Sequence, residues 1–414
     1  MEIFRIIGGS PIKGKVRVGS AKNALLPILA ATILAQEQVT IAGCTRLSDV
    51  ENMLKILRVL GCRAERVGDD AVIDAGCASG WEMPEHLSKL IRSSIFMMGP
   101  ILGRFRKATV TYPGGCEIGL RPIDLHLKGL RALGVQVREE HGMIYCDGSH
   151  MHGGEVLLDF PSVGATENVM MAAVLTPGRT IIRNAAREPE IHDLQQFINS
   201  MGGRVTGGGS SVIVIEGVSE LHGTRYHPLA DRIVAGTLMA AAAMTGGEIS
   251  LENVCSCDMD AVLDKMRAAG CEVELEDNAV FLRAPQKLKG IDVFTQPFPG
   301  FPTDMQAQVM AMCCVAQGTS IIVENVFENR FSHAAQLMRM GADITVNHRS
   351  AVVRGGRLTG ARVCAKDLRG GAALVLAGLA AEGVTEVQGV SLIDRGYDSL
   401  ERMLSGLGAR IVRI

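Results

Sequence analysis

The stretch SDVENMLKILRVLGCRA, residues 48–64, contains the pattern that decides the fold of this chain. Its apolar residues recur at the spacing of an amphipathic helix, and Ser48 and Glu51 are spaced as a capping box at the start of that helix. The pattern stops at Leu60-Gly61, and glycine is the residue that most often takes the left-handed conformation after a helix. The stretch therefore predicts a helix that is closed by Gly61 and followed by a strand near Ala64.

The same phrase, an apolar residue followed by glycine, recurs six times along the 414 residues. Successive glycines are 73, 68, 68, 71 and 67 residues apart, and the third residue after each glycine is apolar. The six pairs are Leu60-Gly61, Leu133-Gly134, Met201-Gly202, Ala269-Gly270, Met340-Gly341 and Leu407-Gly408. Six units of about 70 residues therefore fill the chain.

Each unit is predicted to contain an apolar helix, a short strand, the glycine-capped helix and a strand hairpin, which defines an α/β protein. The clearest first helices are predicted at residues 24–34, 169–175 and 233–244, and the strands after them at 39–41, 180–182 and 248–251. Two further strands, at residues 3–7 and 15–18, precede the first unit, and we expect them to complete sheets of the C-terminal half. Three units per domain then predict one domain at residues 22–229 and a second at 1–21 with 230–414.

The composition limits the classes of partner. With 42 basic and 44 acidic residues the net charge is −2, which excludes the globally basic surface of a nucleic-acid-binding protein. The N-terminus lacks the pattern of a signal peptide, and glutamine and glycine interrupt the longest uncharged stretch, residues 305–323, so we expect a cytoplasmic protein without a membrane span. None of the 11 cysteines has CxxC spacing, which predicts reduced thiols and no metal site.

Charged residues stand at the start of five predicted first helices. A cation at a helix N-terminus is unfavourable by a few tenths of a kcal/mol unless an anion shares the site. This placement indicates a phosphate or carboxylate ligand, although exposed, solvated helix ends remain an equal alternative. The residues concerned are Lys22, Arg92, Asp231-Arg232, Asp304 and Arg369.

Cys116 lies in a glycine-rich segment, residues 112–124, which predicts an exposed loop. Arg121 is close enough in sequence to favour a thiolate or to bind an anionic substrate together with Cys116. His126 could serve as a base for Cys116, but it lies between two leucines on a predicted helix, and we expect a structural role for it. A P-loop at residues 9–15 is excluded because Val16 stands where serine or threonine would bind magnesium, and no dinucleotide-binding GxGxxG is present.

Six ordered motifs spread along the whole chain resemble those of the UDP-N-acetylglucosamine 1-carboxyvinyltransferase family of enolpyruvyl transferases. They are Lys22-Asn23, PGGCEIGLRPIDLH at 113–126, SVGATEN at 162–168, GFPTDMQ at 300–306, ENRF at 328–331 and DRGY at 394–397. The resemblance implies a two-domain inside-out α/β barrel of six repeats, three per domain, with the active site in the cleft between the domains. It also implies transfer of the enolpyruvyl group of phosphoenolpyruvate to the 3′-hydroxyl of UDP-N-acetylglucosamine, the first committed step of peptidoglycan precursor synthesis. The same resemblance implies that phosphate leaves through a tetrahedral intermediate and that no metal or organic cofactor takes part.

The resemblance also implies a role for each matching residue. Cys116 matches the loop cysteine regarded as general acid, as the covalent trap for phosphoenolpyruvate and as the target of fosfomycin, and Asp304 matches the acceptor of the sugar hydroxyl proton. The expected phosphoenolpyruvate-binding residues are Lys22, Arg121, Arg369 and Arg395. The expected sugar-nucleotide residues are Asn23, Arg92, Arg121, Pro122, Ile123, Asp124, Leu125, Ser162, Val163, Gly164, Asp304 and Val326. Phe160 stands near the place where some family members carry a diphosphate-binding lysine, so that contact is not expected here.

Three other interpretations are compatible with parts of the sequence. The chain could be the related enzyme that acts on shikimate 3-phosphate, which shares the fold and the enolpyruvyl chemistry. It could also be a catalytically idle copy that binds the sugar nucleotide, although Lys22, Cys116, Asp304 and Arg395 are all present. A purely structural repeat scaffold would leave these four polar residues unexplained.

Overall fold

The structure is a computed structural model and describes residues 2–112 and 123–414 of the chain. Across these residues the α-helices are α1 (Lys22–Ala31), α2 (Ser48–Val59), α3 (Glu85–Ser88), α4 (Met98–Phe105), α5 (Asp124–Ala132), α6 (Val163–Ala173), α7 (Pro189–Ser200), α8 (Arg232–Thr245), α9 (Asp260–Ala268), α10 (Gln306–Cys313), α11 (Ala334–Arg339), α12 (Leu368–Ala380), α13 (Val390–Ile393) and α14 (Leu400–Gly406). Segments of 3₁₀-helix occupy Thr32–Leu34, Arg92–Met97, Ser256–Asp258 and Thr303–Met305. Within this part of the chain, none of the helices combines the length and the hydropathy that a membrane span requires.

The strands of the described residues are short. They are β1 (Ile3–Ile7), β2 (Lys13–Arg17), β3 (Gln38–Ile41), β4 (Arg63–Val67), β5 (Asp70–Asp74), β6 (Lys107–Thr111), β7 (Gln136–Glu140), β8 (Met143–Asp147), β9 (Glu155–Leu157), β10 (Arg179–Arg183), β11 (Arg204–Thr206), β12 (Val212–Glu216), β13 (Arg225–Tyr226), β14 (Glu248–Glu252), β15 (Glu272–Glu276), β16 (Ala279–Arg283), β17 (Val293–Phe294), β18 (Thr319–Val323), β19 (Asp343–Asn347), β20 (Ser350–Arg354), β21 (Arg362–Cys364), β22 (Val384–Gln388) and β23 (Arg410–Arg413).

The described residues divide into two compact units, each with its own hydrophobic core. We call residues 20–112 and 123–229 the central unit, and residues 2–19 and 230–414 the terminal unit. Each unit holds three of the six sheets found in the described residues.

Every sheet is built on the same three-stranded antiparallel core. In the sheet β13-β3-β5-β4, for example, β5 pairs antiparallel with β3 and β4, and β13 adds to β3 as a parallel edge strand. Five of the six sheets carry such a parallel fourth strand, and the sheet β6-β8-β7 has three strands among the described residues. Six sheets of one design, each accompanied by helices, confirm the α/β class and the six-fold repeat.

The two N-terminal strands enter sheets of the terminal unit. β1 lies between β22 and β23 and pairs antiparallel with both, while β2 pairs in parallel with β14. The expectation that these strands complete sheets of the C-terminal half is therefore confirmed. The second strand covers Lys13–Arg17, two residues earlier at its start than the sequence predicted.

The six repeated glycines end six helices in the same way. Their φ angles lie between 84° and 97°, and a strand begins two residues after each of them. The glycine N–H donates to the carbonyl three residues before it at 2.9–3.0 Å, and the next N–H donates to the carbonyl five residues before it at 3.0–3.2 Å. This pair of bonds is the Schellman motif, in which the left-handed residue is usually glycine.

The predicted capping box of α2 is wrong. The helix begins at Ser48 itself, the N-cap is Leu47, and no side chain caps the helix. The Glu51 carboxylate forms an ion pair with Arg66 on β4, and that contact takes the group which would have closed the box.

Apolar helices form the centre of each unit. Nearly every residue of α6, α8, α10 and α12 is buried, and most of these residues are apolar, as expected of helices in the centre of a core. In the terminal unit α10 packs against α8 and α12, and in the central unit α4 packs against α6. Sheet strands pack on these helices from outside, as β1 and β22 do on α12.

Candidate active-site residues

Lys22 is the first residue of α1 and forms an ion pair inside the central unit. Its Nζ lies 2.7 Å from Oδ2 of Asp49, and the two side chains are 11% and 2% exposed. The alternative of a solvated helix end is therefore wrong for Lys22. Asn23, the next residue of the helix, is half-buried.

The other predicted residues of the central unit lie at element starts. Arg92 begins the 3₁₀ segment Arg92–Met97 and is half-buried, and Ile123 and Asp124 form the start of α5, where Ile123 is buried and Asp124 is exposed. Leu125, in the first turn of α5, is half-buried. Three predicted residues, Cys116, Arg121 and Pro122, lie outside the described residues, so their roles stay predictions.

Ser162 caps α6, since its hydroxyl oxygen accepts a hydrogen bond from the Ala165 amide at 3.4 Å. Val163 and Gly164 form the first turn of the helix. A Cβ atom at Gly164 would lie 2.9 Å from Cε1 of His126, so a larger residue would have to displace the imidazole.

His126 is a buried residue with a defined hydrogen bond. Its Nδ1 lies 2.7 Å from Nδ2 of Asn168, and because that amide nitrogen is a donor, Nδ1 accepts and the ring proton is on Nε2. The same Asn168 side chain binds the Ile95 carbonyl and the Gly99 amide. This network agrees with the structural role expected for His126 and occupies one of the two ring nitrogens that a base would use.

Asp304 lies in the 3₁₀ turn Thr303–Met305 of the terminal unit, and each of its carboxylate oxygens contacts a different arginine. Oδ1 is 2.7 Å from Nη2 of Arg330, and Oδ2 is 3.1 Å from Nη2 of Arg369. The arginine side chains are only 4% and 3% exposed, whereas that of Asp304 is 27% exposed. The carboxylate is thus held from the protein side by two buried cations and open to solvent on the other side.

The electrostatics of this cluster follow from burial and charge. Burial acts to lower the pKa of Arg369, but Asp304, Tyr397 and Asp231 together outweigh it and raise that pKa above its usual value. Burial lowers the pKa of His333 to about 4, and Asp367 offsets this in part while Arg330 adds to it. His333 is therefore neutral at pH 7, and the positive charge beside Asp304 belongs to the two arginines.

Two of the helix starts expected to bind an anionic ligand are already occupied by carboxylates of the chain. Asp231 accepts the amides of Ile233 and Val234 at the start of α8, both at 2.9 Å. Asp367 accepts the amides of Arg369 and Gly370 at the start of α12, at 3.0 and 2.9 Å. The backbone amides of these two helix ends are therefore bound by a side chain one residue before each helix, and a ligand there would have to use side chains such as that of Arg369.

Val326 and Arg395 complete the predicted set. The Val326 amide donates to Oε1 of the buried Glu324 at 2.8 Å. Arg395 is half-buried, and the preceding Asp394 is bound through both carboxylate oxygens by Arg413, at 2.6 and 3.0 Å.

Arg330 and Glu324 are the neighbours that sequence reasoning missed as site residues. Neither stands at a helix start, which was the signal used for the charged residues. Arg330 contacts Asp304, which is 26 residues away, and Glu324 accepts a hydrogen bond from the hydroxyl of Thr303, which is 21 residues away. The ENRF motif at 328–331 contains Arg330 and could have drawn attention to it.

One group of described residues brings three metal-ligand atoms within 4.8 Å of one another, namely Cys255, Cys257 and Asp258. Both cysteines are exposed. Structural zinc sites use four protein ligands, so this group is one ligand short of such a site.

The chain belongs to the family of EPSP synthase (3-phosphoshikimate 1-carboxyvinyltransferase), whose sequence profile matches residues 6–404. Within that family of enolpyruvyl transferases, it is 51% identical over 413 residues to UDP-N-acetylglucosamine 1-carboxyvinyltransferase 2 of Caldanaerobacter subterraneus, with 99% of each chain covered. It is 49% identical over 415 residues to UDP-N-acetylglucosamine 1-carboxyvinyltransferase of Nitratidesulfovibrio vulgaris, covering 100% of this chain and 99% of the relative.

Solved structures share the fold. The enolpyruvyl transferase NikO from Streptomyces tendae superposes with a TM-score of 0.90 at 22% identity, covering 100% of this chain and 98% of NikO. EPSP synthase from Acinetobacter baumannii superposes with a TM-score of 0.77 at 19% identity, with 100% of both chains covered. These likenesses confirm the two-domain α/β fold of the enolpyruvyl transferases.

Proposed function

We propose that the protein transfers the enolpyruvyl group of phosphoenolpyruvate to the 3′-hydroxyl of UDP-N-acetylglucosamine and releases phosphate, which commits the sugar nucleotide to peptidoglycan synthesis. The observation that carries this proposal is the 51% identity, over 99% of both chains, to a relative that is named for this activity. The proposed reaction takes place in the cytoplasm, supports cell shape and division, and uses no metal or organic cofactor.

The position of Asp304 supports a role as general base. In the addition step its partly exposed carboxylate accepts the proton of the 3′-hydroxyl while the hydroxyl oxygen bonds to C2 of phosphoenolpyruvate and C3 gains a proton. In the elimination step C3 loses a proton, the double bond forms again and phosphate leaves. Arg330 and Arg369, each on one carboxylate oxygen, hold the base in a fixed orientation. Cys116 is the proposed general acid.

Four cations are proposed to bind the phosphate and carboxylate of phosphoenolpyruvate, because a small molecule with several negative charges suits several charged donors. They are Lys22, Arg121, Arg369 and Arg395. Asn23, Arg92, Arg121 to Leu125, Ser162 to Gly164, Asp304 and Val326 are proposed to contact the sugar nucleotide. Phe160 is 45% exposed and has no charge for the diphosphate, so we assign that contact to Arg121 and to backbone groups.

A second candidate acceptor is shikimate 3-phosphate, because the matching family profile carries the name of the enzyme that uses it. The test incubates the purified protein with phosphoenolpyruvate and each acceptor in turn and measures phosphate release. We expect release with UDP-N-acetylglucosamine alone. Release with shikimate 3-phosphate alone would overturn the proposal in favour of the second candidate, and binding of UDP-N-acetylglucosamine without any release would indicate an idle copy.

A further inference from the structure

Glu324 is a carboxylate buried in the terminal unit beyond the end of β18, with 0% of its surface exposed. Its Oε1 accepts hydrogen bonds from the Thr295 hydroxyl at 2.9 Å and from the amides of Val326 and Phe327 at 2.8 and 3.0 Å. Its Oε2 accepts one from the Thr303 hydroxyl at 2.8 Å. Burial of a carboxylate is costly unless hydrogen bonds replace those of water, and these four bonds supply that replacement.

Three of the four donors to Glu324, namely Thr303, Val326 and Phe327, belong to the two segments that carry Asp304 and Arg330. Thr303 immediately precedes Asp304 and opens the 3₁₀ turn that presents its carboxylate. Val326 and Phe327 begin the segment that leads to Arg330, the partner of Oδ1 of Asp304. The buried Glu324 carboxylate therefore forms hydrogen bonds both with the segment that carries Asp304 and with the segment that leads to Arg330.

Stability alone does not explain a charged residue at this place. Replacing a buried polar group and its partners by apolar groups of the same shape is often neutral or stabilising. A carboxylate differs from an apolar side chain because its hydrogen bonds are directional. Each oxygen binds its donors at preferred angles, and this fixes the positions of the donor groups relative to one another.

We propose that Glu324 is a positioning residue for Asp304 and acts through the Thr303 hydroxyl. The inference rests on the proposed function, in which Asp304 takes the proton of the acceptor. A displacement of about 1 Å at a reacting group can lower a rate about 100-fold, so loss of the Thr303 bond is expected to lower kcat more than it alters substrate binding.

The test compares Thr303→Val, which keeps the volume of the side chain but removes the hydroxyl, with Thr303→Ser, which keeps the hydroxyl. Thr385→Val is the matched control, because Thr385 is a buried threonine of the same unit whose hydroxyl makes no hydrogen bond with the described residues. For each protein kcat and KM are measured by phosphate release, together with the midpoint of thermal unfolding.

We expect a fall in kcat of roughly 10- to 100-fold in Thr303→Val, with KM for UDP-N-acetylglucosamine within about 3-fold of wild type. Thr303→Ser is expected to restore kcat to within about 3-fold, and Thr385→Val to leave it unchanged. Unchanged kcat in Thr303→Val, or an equal fall in Thr303→Ser, would overturn the positioning role.

Glu324→Gln provides a second variant if Thr303→Val does not fold, since glutamine keeps the volume and one accepting oxygen. It is expected to lower kcat about 10-fold at nearly unchanged KM, and wild-type kcat would contradict the proposal. The wild-type assay distinguishes a failure of the positioning role from a failure of the proposed function. If the wild-type protein turns over and the variants match it, only the positioning role fails, whereas absence of wild-type turnover with either acceptor removes the proposed function and this inference together.

Discussion

A buried charged residue indicates a functional site more clearly than a charged residue at a helix start does. Lys22 and Arg369 drew attention because they stand at the starts of predicted helices, but their significance in the structure is that they are buried and paired with Asp49 and Asp304. Buried ion pairs contribute little net stability compared with apolar residues of similar size. A gain in stability therefore does not by itself account for their presence in two separate places.

Substitution of Asp304 by Asn is expected to lower turnover at least about 100-fold, because an amide cannot accept the proton of the sugar hydroxyl. Binding of UDP-N-acetylglucosamine, measured by calorimetry, should remain detectable. Asp343→Asn is the control, since that carboxylate forms an exposed ion pair with Arg354 and should leave turnover unchanged. A wild-type rate in Asp304→Asn would remove Asp304 from the mechanism.

Fosfomycin is expected to label Cys116, and Cys116→Ser should abolish both labelling and turnover. Cys62→Ser should abolish neither, because burial raises the pKa of the Cys62 thiol to about 12 and leaves very little of the nucleophilic thiolate at pH 7. Mass spectrometry of digested protein locates the adduct. An adduct on another cysteine, with Cys116 unmodified, would be incompatible with the assignment.

The sequence could identify Asp304 and its two arginines only in part. Asp304 and Arg369 carry a local signal, since a charge at the start of an apolar helix is visible in a few consecutive residues. Arg330 lies 26 residues from Asp304 and Glu324 lies 21 from Thr303, so both contacts depend on how separate segments pack. No local pattern encodes such tertiary contacts.

Helix ends could be predicted from the sequence because their backbone conformation favours one residue type, glycine. The six glycines take positive φ angles that other residues adopt only with strain, so a regular series of them located six helix ends. Helix starts were less predictable, because several residue types can cap a helix. The helix expected at residues 169–175 begins six residues earlier, at Val163, because Ser162 caps it.

Two glycines near the C-terminus should respond in opposite ways to the same substitution. Gly408→Ala places a side chain at a φ of 96°, and since the nearest atom to the added Cβ is 3.6 Å away, backbone strain alone should cost about 1–2 kcal/mol. Gly406→Ala lies within α14 with open space around the added Cβ and should stabilise by up to about 1 kcal/mol. Denaturant unfolding of both variants measures the difference. The same sign for both would contradict the role of Gly408 as a left-handed cap.

Residues near both ends of the chain form strands of one sheet in the terminal unit. β1 is an internal strand of the sheet β21-β22-β1-β23, so the first residues of the chain join hydrogen bonds with some of the last. Contacts of this sequence separation form only after a long loop has closed. The terminal unit therefore requires both ends of the chain to be present before its core is complete.

Phe4 provides the test of this dependence, because its side chain is fully buried and it is paired with Val387 of β22 and Arg413 of β23. The Arg413 guanidinium lies 5.1 Å from the centroid of its ring. Phe4→Ala should destabilise the terminal unit by about 3–5 kcal/mol, since a large buried ring leaves a cavity. Hydrogen exchange should therefore speed up in Val384–Gln388 and Arg410–Arg413 while Arg179–Arg183 of the central unit keeps its protection. Ile7→Ala is the matched control on the same strand, because Ile7 is 41% exposed and its truncation removes little buried surface. Equal loss of protection in both units would mean that they unfold together. An effect of Ile7→Ala as large as that of Phe4→Ala would show that the core contact of β1 is not what stabilises the sheet.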